Sequence, residues 1–578
     1  MNRIDRAVIA GLVLVVVLAA VAIGGPAFSP RVRSPSVAPT APPAAPYREG
    51  ILGRPTNVNP LASRTQADRD LVALVFSGLV GRDAAARPIP AIALSWTSSS
   101  DGAVWTFTLD PAARWQDGEP LTADDVVFTI QTLQDPAYHG PGAGSWTGIA
   151  ATAVDAETIR FDVTTPIGAF LDLATQPIVP AHLLDATPPG ALADDPFGDA
   201  PIGSGPYAIV ELDRDHAALE LTKNVAAPPS ESASPTVGPS IDPLATARPT
   251  ADASGEPPAI PRLELRFFDE AERLAAAFRA GDLDAVSGLD PADAAELATT
   301  TNGARVLRDP STTLIAIIPN LRPSRPAFAD PRTRAALLGA IDRERIVTVA
   351  YGGLATRADG LVPPSSWAFS GASTPPVKRD LKAAAKALTD AGWKKAKDGW
   401  RRLATDKEPQ TLELLVADRT ASPVQFAIAS QIAADWAALG VAVDILERDP
   451  AILATDHIRT GDFDLALVQI AIGHDPDLYP LLASSQTRTG GANVIGLQDP
   501  ALDPLLEAAR APGTDVARTA AYAALQTRLS GGTYFLPIAW PDEAIVLGSR
   551  VVGVERREVA DRSERFGDVL TWRLADDR

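Results

Sequence analysis

The sequence predicts an α/β fold built on more than one core, and three observations carry that expectation. The chain has 578 residues, more than a single hydrophobic core organises. Residues 101–135 (DGAVWTFTLDPAARWQDGEPLTADDVVFTIQTLQD) contain a complete strand–turn–helix unit. Two distant stretches, Phe278–Val286 (FRAGDLDAV) and Ile458–Leu467 (IRTGDFDLAL), share one order: helix end, glycine, aspartate, hydrophobe, aspartate, strand. A glycine in the left-handed position after a helix, followed at once by an apolar strand, is the return expected in two separate α/β lobes.

Each element has a local reason. Asp101-Gly102 turns the chain, and Val104–Leu109 alternates bulky and small polar residues as a half-buried strand requires. After the turn at Asp117-Gly118, Thr122 stands at a helix N-cap, with Asp124 and Asp125 facing the positive end of the helix dipole. Val126, Val127, Ile130 and Leu133 continue at helical spacing. Residues 51–61 (ILGRPTNVNPL) suit an opening strand and an Asn-Pro turn, and Leu71–Leu79 reads as an apolar helix ending near Gly78. The glycines of PIGSGPY (201–207) suit a turn needing positive φ; without a Gly-Lys-Ser/Thr ending it is not a phosphate loop. Pro331 suits a first helical turn after Asp330. Residues 380–393 read as a capped helix stopping at Gly392, and 423–447 as a long helix ended by Gly440 that feeds the strand Val441–Leu446.

Composition narrows the function classes. The chain carries 52 basic and 71 acidic residues, a net charge of −19 that argues against nucleic-acid partners and anionic membrane faces. Without cysteine there is no disulfide, thiolate–zinc site, thiol nucleophile or lipid-bearing N-terminal cysteine. The five histidines show no His-x-x-x-His spacing, so neither a metal nor any other cofactor is expected. At the N-terminus Arg3 and Arg6 precede Ala7–Ile23, drawn only from Ala, Val, Ile, Leu and Gly. Residues 1–28 read as a membrane anchor, long enough for a bilayer core of roughly 30 Å, or as a cleaved signal peptide with a small-x-small site at Ala20–Ala22. Either reading exports the rest. Residues 29–46 are a Pro/Ala-rich linker, and 225–259 have the same character as a disordered insertion.

The string W-x-F-x-L (105–109) followed by R-W-x-D-G-E-P-L-T-A-D-D-V-V-F-T (114–129) resembles the signature of family 5 extracellular solute-binding proteins. PIGSGPY resembles that family's G-T-G-P-Y element, and residues 328–347 its helix pair after a central strand. The resemblance implies a two-lobed, type II periplasmic-binding-protein-like α/β fold with mixed sheets, hinge strands between the lobes and an extra domain. It places lobe 1 at 47–85, 201–311 and 530–578, the extra domain at 86–200 and lobe 2 at 312–529. The crossing strands would lie near Thr312–Asn320 and Tyr534–Trp540. The implied function is capture of a small solute or peptide by a monomeric extracytoplasmic receptor that works with separate ABC permease subunits. A membrane-anchored sensor or interaction scaffold of the same fold is the alternative.

The family's pocket loop, W-x-A-D-Y-P-D-P, is matched by QIAIGHDPDLYPLL (469–482) at Asp475-Pro476-Asp477. Ile472 stands where peptide-binding members place the acid that grips the ligand's α-ammonium, and His474 or Asp475 is the candidate to replace it. A loop histidine bonded to backbone is the plainer reading of His474. Further ligand-binding candidates are Ser204 in the glycine turn, Asn320 at the end of the hinge strand, Asn493 in GANVIG, and Trp146 and Trp367 in polar loops, where plain burial competes as the explanation. With no Gly-x-Ser-x-Gly, His-Glu-x-x-His or dinucleotide fingerprint, no enzyme is expected.

Overall fold

The computed structural model describes residues 45–222, 260–396, 401–403 and 411–575. The leader (1–28), the linker up to residue 44 and the insertion 225–259 lie outside the described residues. Among the described residues no helix is long and apolar enough to cross a membrane.

Strand β1 (Tyr47–Leu52) leads to helix α1 (Gln66–Val75). This helix begins before and ends before the span Leu71–Leu79 read from the sequence. Its start is fixed by Asp68, which forms a capping box with Thr65 and also accepts from the backbone N–H groups of Asn57 (3.0 Å) and Arg64 (2.9 Å). Its end is fixed by the 201–207 turn, where Gly205 N–H donates to Val75 O at 2.7 Å. A Cβ on Gly203 or Gly205 would strike the backbone of Val75, so the turn needs both glycines.

Strands β2 (Ala93–Ser98), β3 (Val104–Leu109), β4 (Ile149–Asp155) and β5 (Thr158–Val163) form a small antiparallel sheet in the order β2-β3-β5-β4. Helix α2 (Ala123–Gln134) lies on it, opened by the Thr122/Asp125 capping box. Phe107, Trp146, Phe161 and Phe170 share a core with Tyr47, Leu71 and Leu263, so this sheet is packed onto the first lobe.

The first lobe's own sheet adds β6 (Tyr207–Leu212), β7 (His216–Leu221), β8 (Arg262–Phe268), β9 (Ala285–Ser287) and β10 (Arg305–Pro310). Helix α3 (Ala271–Arg279) precedes β9 through Gly281, whose φ of +81° is the left-handed turn expected of the FRAGDLDAV stretch. Strand β1 is central, parallel to both β8 and β9.

The second lobe contains β11 (Thr313–Pro319), α4 (Pro331–Ala340), β12 (Ala355–Arg357), α5 (Leu381–Asp390), β13 (Thr411–Ala417), α6 (Pro423–Leu439), β14 (Ala442–Arg448) and β15 (Leu465–Ala471). Its sheet runs β14-β13-β15-β11. Strand β11 is apolar on both faces because both are covered. Ile315 and Ile317 enter one core, while Leu314, Ala316 and Ile318 enter the other.

Helix α7 (Asp515–Gly532) precedes the twelve-residue strand β16 (Leu536–Leu547), which joins the two sheets. Residues 536–541 pair with β11 and β12, and residues 542–547 with β10 and β9. The change of partner falls at Pro541, which has no N–H to contribute to a ladder. The chain therefore passes between lobes at Ser311-Thr312 and at Pro541-Asp542. The sequence reading placed the crossings within longer spans of β11 and the start of β16.

The C-terminal segment is fastened to the first lobe by a buried ion cluster. The Arg565 guanidinium donates to Glu49 (2.9 Å) and in two bonds to Asp70 (2.7 and 2.9 Å), and all three side chains are at most 1% exposed. Tyr47 donates its hydroxyl to the other oxygen of Glu49 at 2.8 Å. Removing one partner from such a cluster leaves buried charge uncompensated. Arg565→Ala is therefore expected to cost about 3–5 kcal/mol, measured by urea unfolding, whereas Arg556→Ala on the exposed side of the same segment stays within about 0.5 kcal/mol.

Candidate functional site

The lobes meet where the loop after β15 faces the C-terminal segment. The loop leaves the sheet at Ile472, whose N–H donates to Thr312 O at 3.1 Å. The Ile472 side chain packs into a second-lobe core, so this position presents no charge to the junction. Gly473, at a φ of +81°, then turns the chain toward the first lobe.

His474 is buried between two carboxylates of the C-terminal segment. Nδ1 lies 3.1 Å from Glu558 Oε1 and Nε2 lies 2.8 Å from Glu564 Oε2. Burial by itself lowers the histidine's pKa, but hydrogen bonds to Glu558 and Glu564 outweigh burial and the opposing Arg82 charge, pushing it up to about 9. At neutral pH this keeps the ring protonated, so that both nitrogens donate to the glutamates.

Asp475 closes a different set of bonds. Arg518 grips its carboxylate through two contacts, at 2.7 and 2.8 Å, and the Tyr522 hydroxyl donates to it at 3.2 Å. Burial holds the Asp475 carboxyl above its ordinary range despite Arg518. Its backbone N–H donates to Asp172 at 3.0 Å, and Asp172 is itself ion-paired to Arg82. The loop thus touches the first lobe through residues 172, 558 and 564. Trp367 belongs to this neighbourhood: its ring lies under the Arg518 guanidinium at 4.7 Å, and it is 42% exposed.

The other candidates from the sequence have local duties. Ser204 Oγ accepts from Ser77 N–H at 3.2 Å in the turn behind α1. Asn320 donates to the carbonyls of Gly461 and Phe463, both at 2.9 Å. Asn493 donates to Ala483 O and Leu497 O and accepts from Leu497 N–H, holding its own loop closed. Trp146 is buried against Phe161 and Phe170 in the aromatic core of the small sheet. Their polar groups or rings face protein partners, so of these candidates the structure brings His474 and Asp475 to the lobe junction, with Trp367 beside Arg518, the partner of Asp475. Glu211, Asp213 and His216 bring ligand atoms within 4.8 Å of one another on the β6–β7 hairpin, where Asp213 already accepts from the N–H groups of Asp215 and His216.

Beside the His474 contact a cavity of about 450 Å³ opens at the hinge. Ala84, Ala85 and Arg556–Glu558 line it from the first lobe, Thr356 and Pro363–Ser365 from the second, and Pro310, Ser311, Trp540 and Asp542 from the crossing segments. Asp542 is paired with Arg308 at 2.7 Å. Neighbouring Asp309 is pushed up to about 6, chiefly by burial, although Arg557 N–H donates to it at 3.0 Å. Glu558, Glu564 and Trp540 were not legible as site residues. The glutamates sit in REVADRSER (557–565), which reads as a solvated charge run, and Trp540 reads as hinge strand.

Two α/β lobes joined by a shared strand, with a cavity at the junction, define the type II periplasmic-binding-protein class. Residues 87–492 match the family described as bacterial extracellular solute-binding proteins, family 5 Middle, and the chain belongs to that family. It is 26% identical over 510 residues to Protein XP55 of Streptomyces lividans, covering 87% of this chain and 85% of that one. It is 24% identical to the oligopeptide-binding protein AppA of Bacillus subtilis over 80% of each chain. The AppA structure with a nonapeptide aligns with a TM-score of 0.70 over 92% of this chain and 99% of AppA, at 22% identity. NikZ of Campylobacter jejuni, solved with Ni(L-His), aligns with a TM-score of 0.69 over 91% and 99% of the two chains, at 23% identity.

The folded-state pKa of His474 lies above its ordinary value, so its contacts contribute fully below about pH 6.5 and are lost as pH rises through about 9. The pH-dependent part of the stability difference between wild type and His474→Gln is expected to be about 1–3 kcal/mol near pH 6 and to be lost by about pH 10. Thermal unfolding of both proteins across that range measures it.

Proposed function

We propose that this protein is the extracytoplasmic receptor of an ABC importer and captures a small, peptide-like or other polar solute between its lobes. The observation that carries the reading is the cavity of about 450 Å³ walled by both lobes and by both crossing segments. A solute there touches both halves at once, and only contacts to both halves favour closure over opening. The volume lies toward the lower part of the roughly 300–1,000 Å³ usual for ligand pockets, which favours an amino-acid-sized or short-peptide solute. Relatives with this fold include one solved with a nonapeptide and one with Ni(L-His), so the fold alone leaves the solute class open.

In this reading residues 1–28 hold the receptor at the membrane or direct its export, and 29–46 tether it. The chain acts as a monomer beside separate permease subunits, with its first lobe, extra domain and second lobe divided as the sequence suggests. It performs no catalysis. A transport-independent sensor is the second reading, favoured by Ile472 at the family's acidic position and by a pocket loop whose charged side chains are paired within the chain.

A thermal-shift screen over short peptides, oligosaccharides and metal chelates tests the receptor reading. A true solute at a hundred times its Kd is expected to stabilise the protein by about 2.7 kcal/mol and raise Tm accordingly. A folded protein whose Tm no class moves is not a solute receptor.

A further inference from the structure

We infer that the two lobes carry a built-in latch: His474 held between Glu558 and Glu564, with Arg510 and Arg518 docked against the extra domain, closes the lobes through the chain's own residues and lets go when His474 loses its proton. The inference goes beyond the receptor reading and does not rest on it. Three contacts cross the junction. His474 reaches the C-terminal segment at both ring nitrogens, 3.1 Å from Glu558 and 2.8 Å from Glu564. The Asp475 N–H donates to Asp172 of the short helix Phe170–Leu173, and Arg82 holds the other oxygen of that carboxylate. At a separate place the Gly168 N–H donates to Arg510 O at 2.8 Å, joining the extra domain to the second lobe. A side chain at Gly168 would collide with the Arg518 guanidinium, and one at Gly102 with Pro512, so the extra domain meets residues 510–518 at close range.

The Asp475-Pro476-Asp477 motif braces these contacts. Its carboxylates are taken by the same two arginines that meet the extra domain. Arg518 pairs with Asp475 at 2.7 Å and Arg510 with Asp477 at 3.1 Å, and Arg510 also lies over the Tyr479 ring at 4.4 Å. One loop therefore ties the His474 contact to the Gly168 contact, so that parting either loosens the other. The charge on His474 decides whether the latch holds. Facing it are Glu558 and Glu564 from the C-terminal segment, Arg82 from the first lobe, and neighbouring Asp475, which Arg518 neutralises. Arg557, bonded to the Glu564 carbonyl, turns its charge to Asp568. A protonated ring gives each glutamate a donor, whereas a neutral ring donates to one and sets a lone pair against the other. Opening exposes the ring and returns it to its ordinary titration. The closed state therefore binds the extra proton between about pH 6.5 and about 9, and rising pH favours opening.

Hydrogen–deuterium exchange of the full-length protein tests the latch, because the Gly168 and Asp475 N–H groups donate across the junction and exchange when the lobes part. With intrinsic exchange corrected for pH, protection of residues 165–170 and 473–477 is expected to fall together, by about a hundredfold between pH 6.5 and 10. The strand Val104–Leu109 stays protected throughout. His474→Gln should lower protection of both segments about tenfold to a hundredfold at pH 7 and flatten their pH dependence. Gly168 is bonded to Arg510 and not to His474, so a loss there reports parting lobes and not a fraying loop. Glu564→Gln, at a partly exposed position, should act in the same direction and more weakly, and serves if His474→Gln does not fold. Gly168→Ala, whose Cβ displaces Arg518, should lower protection of 473–477 several-fold from the other side. Unchanged protection of 165–170 in both His474→Gln and Glu564→Gln overturns the inference. So does a pH dependence that persists in His474→Gln, or unchanged protection of 473–477 in Gly168→Ala. None of these results bears on the thermal-shift screen, by which the receptor reading is judged separately.

Discussion

Strand β16 belongs to two sheets, and that constraint organises the molecule. Its first half completes the second lobe and its second half completes the first, so neither lobe is finished without it. The partner change is confined to Pro541-Asp542, beside the other crossing at Ser311-Thr312. Relative motion of the halves is expected to be taken up near these few residues, where the strand leaves one ladder and enters the other. A cavity beside the crossings is walled by residues of both lobes.

The C-terminal segment makes that position chemical. Arg565 is bound to β1 and α1 through Glu49 and Asp70, and Val559 pairs with the crossing near Ser311. Beside those two fastenings Glu558 and Glu564 project at His474 in the loop after β15. His474 answers them with a buried positive charge, while Asp475 is taken by Arg518 of α7. Buried charges are thus balanced pairwise through most of the junction. Around the crossings the balance is incomplete: Asp309 Oδ2, Thr312 Oγ1, Trp540 Nε1, Arg557 Nε and Glu558 Oε2 are buried without hydrogen-bond partners among the described residues.

Local chemistry made much of the fold legible in advance. The strand Val104–Leu109, the Thr122 cap and the left-handed glycines at 281, 440 and 461 all lie where periodicity and turn preference put them, because each depends on a few neighbouring residues. Helix α1 was misplaced because its start depends on Asp68 collecting backbone donors from an earlier loop, and its end on a turn far along the chain. Asn320, Asn493 and Ser204 were reasonable polar candidates until tertiary contacts supplied each with backbone partners.

The sequence by itself determined the α/β class, the order of helix and strand units and the family. Those follow from spacing, capping and a contiguous motif. Only the tertiary structure decided which charges neutralise one another. Pairing is a matter of distance in space, and Glu558 meets residue 474 only after a shared strand has drawn both lobes together.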